Sequence, residues 1–177
     1  ALSTDQVGAM LSTQVAALTT DQIGELSEDQ VGPLSTKAII GLKADQIGAM
    51  STDQIGALTA SQIAVLNATQ IAAISADGIA EFTTDEIAAT STKAISGLTT
   101  DAIAALSTDQ VEALTTGQIA AMKPTQIAAF TTDQIGALST DQVGAMLSTQ
   151  VAALTADQIG ELSEDQVGAI STKAIVG

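Results

Sequence analysis

A β-branched residue recurs every eight positions from Val7 to Ile175, with no insertion and no gap. Such strict self-similarity constrains the fold more than any local propensity, because equivalent units must sit in equivalent environments. A second apolar series stands three residues after the first. It runs from Met10 to Phe82, breaks once at Thr90 and resumes from Leu98 to Ile170. The consensus unit is Leu-Ser/Thr-Thr-Asp-Gln-Ile-Gly/Ala-Ala, and about 22 such octapeptides fill residues 1–177 as a single tandem-repeat domain. Longer correspondences overlie the octad. Residues 2–41 recur at 138–177 with changes only at Thr20/Ala156, Pro33/Ala169, Leu34/Ile170 and Ile40/Val176. The string Ser-Thr-Lys-Ala-Ile recurs at Ser35, Ser91 and Ser171, a spacing the octad does not explain. A chain that opens on Ala1 with no linker or composition shift reads as a fragment of a longer protein, or as a designed repeat protein without natural function.

One unit reads as a very short capped helix. Ser or Thr followed three residues later by Gln is the capping-box pattern, in which each side chain satisfies the other residue's backbone N–H. Ser3/Gln6, Thr19/Gln22, Ser27/Gln30 and Ser51/Gln54 carry it, and it recurs along the chain. An acid such as Asp5, Asp21, Asp29 or Asp53 lies between the two, in the first turn, where it complements the helix dipole. Pro124 falls at the first helical position, where proline is tolerated, and Pro33 at the end of a unit.

A single continuous helix is excluded by the period. Eight residues advance the face of an α-helix by roughly 80°, so the apolar pair would spiral around the rod instead of forming a stripe. Nor is one unit stable alone. Two apolar side chains contribute about 1.5–3 kcal/mol each when buried, against about 1–2 kcal/mol of backbone ordering for every residue. The units must therefore stack, which predicts an all-α solenoid of very short capped helices, one per repeat. Its core would hold Val7, Ile23, Val31, Ile47 and Ile55 with Leu18, Leu26 and Leu58. Small residues after the β-branched position, such as Gly8, Ala16, Gly24, Gly32, Gly48 and Gly56, would let adjacent helices approach. The rival is a β-solenoid, favoured by the Ile/Val and Thr content. A spacing of three, however, places Ile and Leu on opposite faces of a strand.

Composition narrows the chemistry. There is no Cys and no His, which removes disulfides, thiolate metal sites and the commonest general base. Phe82 and Phe130 are the only aromatics. The net charge of −15, from 20 acids against 5 lysines, argues against nucleic acid and anionic membranes as partners. No apolar run reaches the roughly 20 residues of a membrane span. Asp5, Asp21, Asp29 and Asp53 would form a calcium ladder only if the winding brought six to eight oxygens together. Otherwise they are solvated acids at helix starts. The Gln series is explained by capping. Adjacent acids such as Glu28/Asp29, Asp85/Glu86 and Glu164/Asp165 point in different directions on a short helix, and no Ser or Thr has an evident base. No enzyme activity and no cofactor follows. Lys37, Lys93 and Lys173 replace Asp in the Ser-Thr-Lys-Ala-Ile units and mark either a partner contact or a tolerated charge.

The unit Leu-Thr-Thr-Asp-Gln-Ile-Ala-Ala resembles the repeat tracts of very large bacterial adhesin-like and secreted proteins, over the whole chain. That resemblance implies a structural role, an extended stalk or spacer at the cell surface or outside the bacterium, and it gives no site. The alternative is a binding module that presents one repeated face to a protein, glycan, calcium or ice; self-association along the solenoid is a further expectation. The unit is also similar to the opening of a transcription-activator-like effector repeat, but for only about one unit. The base-reading loop is missing and the charge has the wrong sign for DNA.

Overall fold

A computed structural model of the chain describes residues 2–170 and Ala174. Among them there are twenty-one α-helices, from α1 (Thr4–Gly8) to α21 (Glu164–Ala169), and no strand, so the all-α solenoid is the fold and the β-solenoid is not. Each helix has four to six residues. The residue before it is extended, as at Ser3 (φ −75°, ψ 162°) and Thr19 (φ −77°, ψ 163°). Each helix ends when the residue three after its β-branched one, most often Leu or Met, donates its N–H back to it, as Leu18 does to Val15 at 3.1 Å and Leu58 to Ile55 at 3.1 Å. The exit residue is then extended in its turn, as at Leu42 (ψ 135°). No described residue, glycine included, has a positive φ, so the breaks between helices need no left-handed turn.

Helices adjacent in sequence do not pack on each other. Each packs instead on the third helix along: α2 (Ser12–Val15) on α5 (Thr36–Gly41), α6 (Ala44–Gly48) on α9 (Ala68–Ala73), α9 on α12 (Thr92–Ile95), and so on through α18 (Thr140–Gly144) on α21. The helices that approach are thus neighbours across coils, not along the sequence. The chain coils, and the β-branched and Leu/Met/Phe side chains point inward into one continuous core. Val7, Ile23, Val31, Ile47, Ile55 and Leu58 are buried; Leu18 and Leu26 are partly buried against the same core. Phe82 and Phe130 take Leu positions and are buried too. Thr90, where the second series breaks, is buried with its hydroxyl donating to the Glu86 carbonyl at 3.0 Å.

The coils are joined by glutamine. In α7 (Thr52–Gly56), Gln54 Oε1 accepts from the Ser51 N–H at 2.8 Å, which is the capping half. Its Nε2 donates to the carbonyls of Ile23 at 2.9 Å and Leu26 at 2.5 Å, one coil back. Gln118 does the same with the Thr115 N–H (2.6 Å), Ile87 (2.8 Å) and Thr90 (2.6 Å), and Gln142 with Ser139, Val111 and Leu114. The carbonyls lie 31 and 28 residues back each time. The first is the carbonyl of a helix's β-branched residue, which also accepts the N–H three residues on, and the second is the carbonyl of the link residue that follows that helix. An amide suits the position because it alone offers an acceptor and two donors on one planar group. Inner glutamines from Gln46 to Gln166 are accordingly buried, while Gln6, Gln14 and Gln22 in the first coil are exposed.

Where glutamine is missing, the backbone adjusts. Ala38 and Ala94 stand in its place in two Ser-Thr-Lys-Ala-Ile units, and both are fully buried. Each is followed three residues later by a glycine pressed on the coil beneath. A Cβ on Gly41 would lie 2.5 Å from the Ser12 carbonyl oxygen, and one on Gly97 only 2.0 Å from that of Ala68. These two units replace the amide clasp with direct backbone contact at the glycine. At Gly24, Gly32 and Gly48 a Cβ would make ordinary contacts of 3.5 or 3.6 Å, so glycine is not required there.

Three stability outcomes are expected. Gln118→Ala leaves the Thr115 N–H and the Thr90 carbonyl without the partner it supplies and takes one of two donors from the Ile87 carbonyl, and should cost about 2–4 kcal/mol, against under about 1 kcal/mol for Gln6→Ala, whose Nε2 has no coil beneath it. Gly97→Ala should cost more than about 2 kcal/mol, whereas Gly160→Ala, with nothing within 4 Å of the new methyl, should stabilise by up to about 1 kcal/mol. Glu86 keeps the capping half (2.8 Å to the Thr83 N–H) but carries no donor, so Glu86→Gln should add about 1 kcal/mol by reaching back to Ile55 and Leu58. Urea midpoints of the variants check all three.

Candidate functional site

The capping residues of the sequence analysis lie at successive helix starts along the outside. Ser3, Thr19 and Ser51 accept from the N–H groups of Gln6, Gln22 and Gln54 at 3.2, 3.2 and 3.1 Å. Ser27 departs from them: the Gln30 N–H turns to the Ser27 carbonyl at 2.9 Å, and only the return contact from Gln30 Oε1 to the Ser27 N–H (2.8 Å) is made. Leu11, Lys43, Lys123 and Leu147 occupy the same cap position with no side-chain acceptor, and there too the glutamine contact alone caps the helix. That single contact is enough, which explains why the cap residue can vary.

Asp5, Asp21, Asp29 and Asp53 are exposed, each in the first turn of its own helix. No three carboxylates among the described residues come together in a group able to hold a metal ion. A cavity of about 440 Å³ lies at the first coil, lined by Leu2, Leu18, Asp21, Gln22, Glu25, Leu26 and Gln30. It lies where the exposed glutamines have no coil beneath them. A shallower groove of about 540 Å³ runs beside Thr116, Thr140, Asp141, Gly144, Ala145 and Ala169. Neither brings a nucleophile to a base. No described helix is long and apolar enough to cross a membrane. Lys37 and Lys93 are exposed, and Lys173 lies outside the described residues.

What the structure organises is charge. Packing of each helix on the third along, with glutamine reaching 28 and 31 residues back, gives roughly three and a half units per coil. Number the units from 2–9. Asp occupies the free position of units 3, 4, 6 and 7 in every block of seven: Asp21, Asp29, Asp45 and Asp53, then Asp77, Asp85, Asp101 and Asp109, then Asp133, Asp141, Asp157 and Asp165. All seven glutamates fall in the same units, and Asp5 is the one acid outside them. Lys37, Lys93, Lys123 and Lys173 sit in the other units, with Lys43 the exception. Pairs of acidic units thus follow each other alternately by three and four units, the period of the coil itself. Around the axis, seven units fall in the order 1, 5, 2, 6, 3, 7, 4, so the acidic units form one contiguous side and the acid-free units the other. Both exceptions, Asp5 and Lys43, belong to units at the border between the two sides.

The family model described as the ALTTAQ repeat matches at residues 1–28, 29–60, 79–116 and 112–148. No curated protein matches the chain. The matched hexapeptide is legible in the fold: 17–22 reads Ala-Leu-Thr-Thr-Asp-Gln and 113–118 Ala-Leu-Thr-Thr-Gly-Gln, each differing from the family's named string at its fifth residue only. The shared residues are the inward Leu, the cap Thr and the clasping Gln; the fifth is the outward position that sets the charge. The repeat is tandem and each match spans several octads, together covering well over half of the chain. The chain belongs to the ALTTAQ repeat family.

Proposed function

We propose that this chain is a non-enzymatic structural module, an extended acidic stalk of a bacterial surface or secreted protein. Its work is geometric: it sets a distance and presents a repeated surface. The observation that supports this reading is the sameness of the inner joints. Every coil meets the next through the same third-helix packing, and through the same glutamine clasp except at Ala38 and across the four successive units of Gly78, Glu86, Ala94 and Ala102. Length then grows with unit number while the environment of each unit stays constant, the additive behaviour of a solenoid. With helices packing about 8–10 Å apart, roughly six coils give a rod of about 50–60 Å.

The test is removal of whole coils. Deleting 42–97, seven units, joins Gly41 to Leu98 without disturbing register. The maximum dimension by small-angle X-ray scattering should fall by about 16–20 Å, two coils, with unchanged helical ellipticity per residue. Placed between a surface anchor and a reporter, the shortened chain should lower the reporter by the same amount. A reporter height, or an adhesion by the parent protein, that does not depend on unit number contradicts the spacer role.

A further inference from the structure

We propose that the rod has one built-in yielding joint: two clasped bodies, 2–74 and 75–170, meet at a seam without amides, and the solenoid parts there first. The argument starts from the coil. One coil takes roughly three and a half units, so a joint loses its amides all round the axis only where four successive units lack glutamine. Ala38 is a single gap, and Gln30 and Gln46 on either side of it both clasp the coil beneath. Gly78, Glu86, Ala94 and Ala102 are four in succession. The link carbonyls they would serve, those of Met50, Leu58, Leu66 and Ile74, receive no amide. Just before the seam, the Leu34 and Leu42 carbonyls accept from Gln62 and Gln70 Nε2 at 2.7 and 2.9 Å. Just after it, those of Phe82 and Thr90 accept from Gln110 and Gln118 at 2.5 and 2.6 Å.

A second observation concerns the core. Among the described residues, every buried polar or charged side chain is a glutamine except Glu86 and Thr90, and both lie in the coil above the seam. Glu86 keeps its cap but has no donor for the coil beneath. Thr90 puts a hydroxyl where other units put Leu, Met or Phe, and spends it on its own helix. What remains at the seam is contact without direction. Gly97 presses on Ala68, and a Cβ on Gly78 would lie 2.9 Å from Ile74 Cγ2 and 3.3 Å from Ile55 Cγ2. No hydrogen bond among the described residues crosses the seam, and the chain crosses it once, at the extended pair Ile74 (ψ 130°) and Ser75 (ψ 160°).

A solenoid's stability is a sum over units and nearest-neighbour joints, so it divides at its weakest joint. Below the seam, Gln46, Gln54, Gln62 and Gln70 hold the coils together; above it, the clasps run unbroken from Gln110 to Gln166. The shorter body, 2–74, therefore opens first. In the stalk proposed above, on which this last point alone rests, tension would open one defined place and spare the remaining length.

Hydrogen–deuterium exchange of the whole chain, read by mass spectrometry across a urea series, tests the seam. Peptides from 2–74 should lose protection together, and those from 75–170 together at a higher urea midpoint. Glu86→Gln, which restores one donor, should bring the two midpoints closer. Gln110→Ala/Gln118→Ala/Gln126→Ala/Gln134→Ala strips the next joint all round and should make 75–106 lose protection ahead of 107–170. One transition shared by all wild-type peptides overturns the proposal, as does a boundary at another place. Neither result bears on the spacer role, which stands or falls on the deletion of units.

Discussion

The structure depends on one primary amide used at both ends. Within its own unit the glutamine oxygen caps a helix too short to satisfy its own N–H groups. Across to the previous coil, the nitrogen donates to the carbonyl of another helix's β-branched residue and to that of the link residue after it. Helices of four to six residues expose most of their backbone polar groups, and a core of Ile, Val and Leu cannot supply partners for them. The glutamine does, and no buried side-chain nitrogen or oxygen among the described residues is left without a hydrogen bond. The octad follows from this. One turn of helix, one extended pair of linking residues and one clasp make the shortest unit that closes on itself.

Because the clasp, the cap and the two inward side chains fix four of the eight positions, others are free of structural duty. The residue before glutamine is the most conspicuous of these, exposed in every described unit and variously Asp, Thr, Lys, Ser or Gly. It is also the one residue at which 17–22 and 113–118 depart from the hexapeptide that names the family. A stalk built this way can alter its surface without altering its length or its core. In this chain that freedom is used with the period of the coil, three and four units alternately, as an amphipathic helix uses three and four residues. The outcome is a rod with an acidic side and an acid-free side.

Much of the fold is legible in the sequence. The octad, the recurrent cap signal and the Ile–Leu spacing lead to stacked mini-helices without any structure in view. Three things are not. Gln54 or Gln118 reads as half of a capping box, and since that role accounts for the residue, nothing local points to its second use 28 and 31 residues away. The number of units per coil is set by that contact, so the partner of each helix is hidden with it. The Ser-Thr-Lys-Ala-Ile units show the same blindness: nothing in the string itself shows that Gly41 and Gly97 are pressed on Ser12 and Ala68 of the coil beneath. The two-sided charge was present in the sequence throughout, but it becomes visible only when the coil period tells the reader to count by seven.

The most direct measurement of the central claim is hydrogen exchange at the glutamine side-chain amides, read by nuclear magnetic resonance with cross-relaxation to assign their neighbours. The account predicts slow exchange at inner glutamines such as Gln54, Gln118 and Gln142, with contacts from Nε2 protons to residues 28 and 31 positions back, and fast exchange at Gln6, Gln14 and Gln22. Uniformly fast exchange, with no contact reaching beyond the residue's own unit, would contradict it.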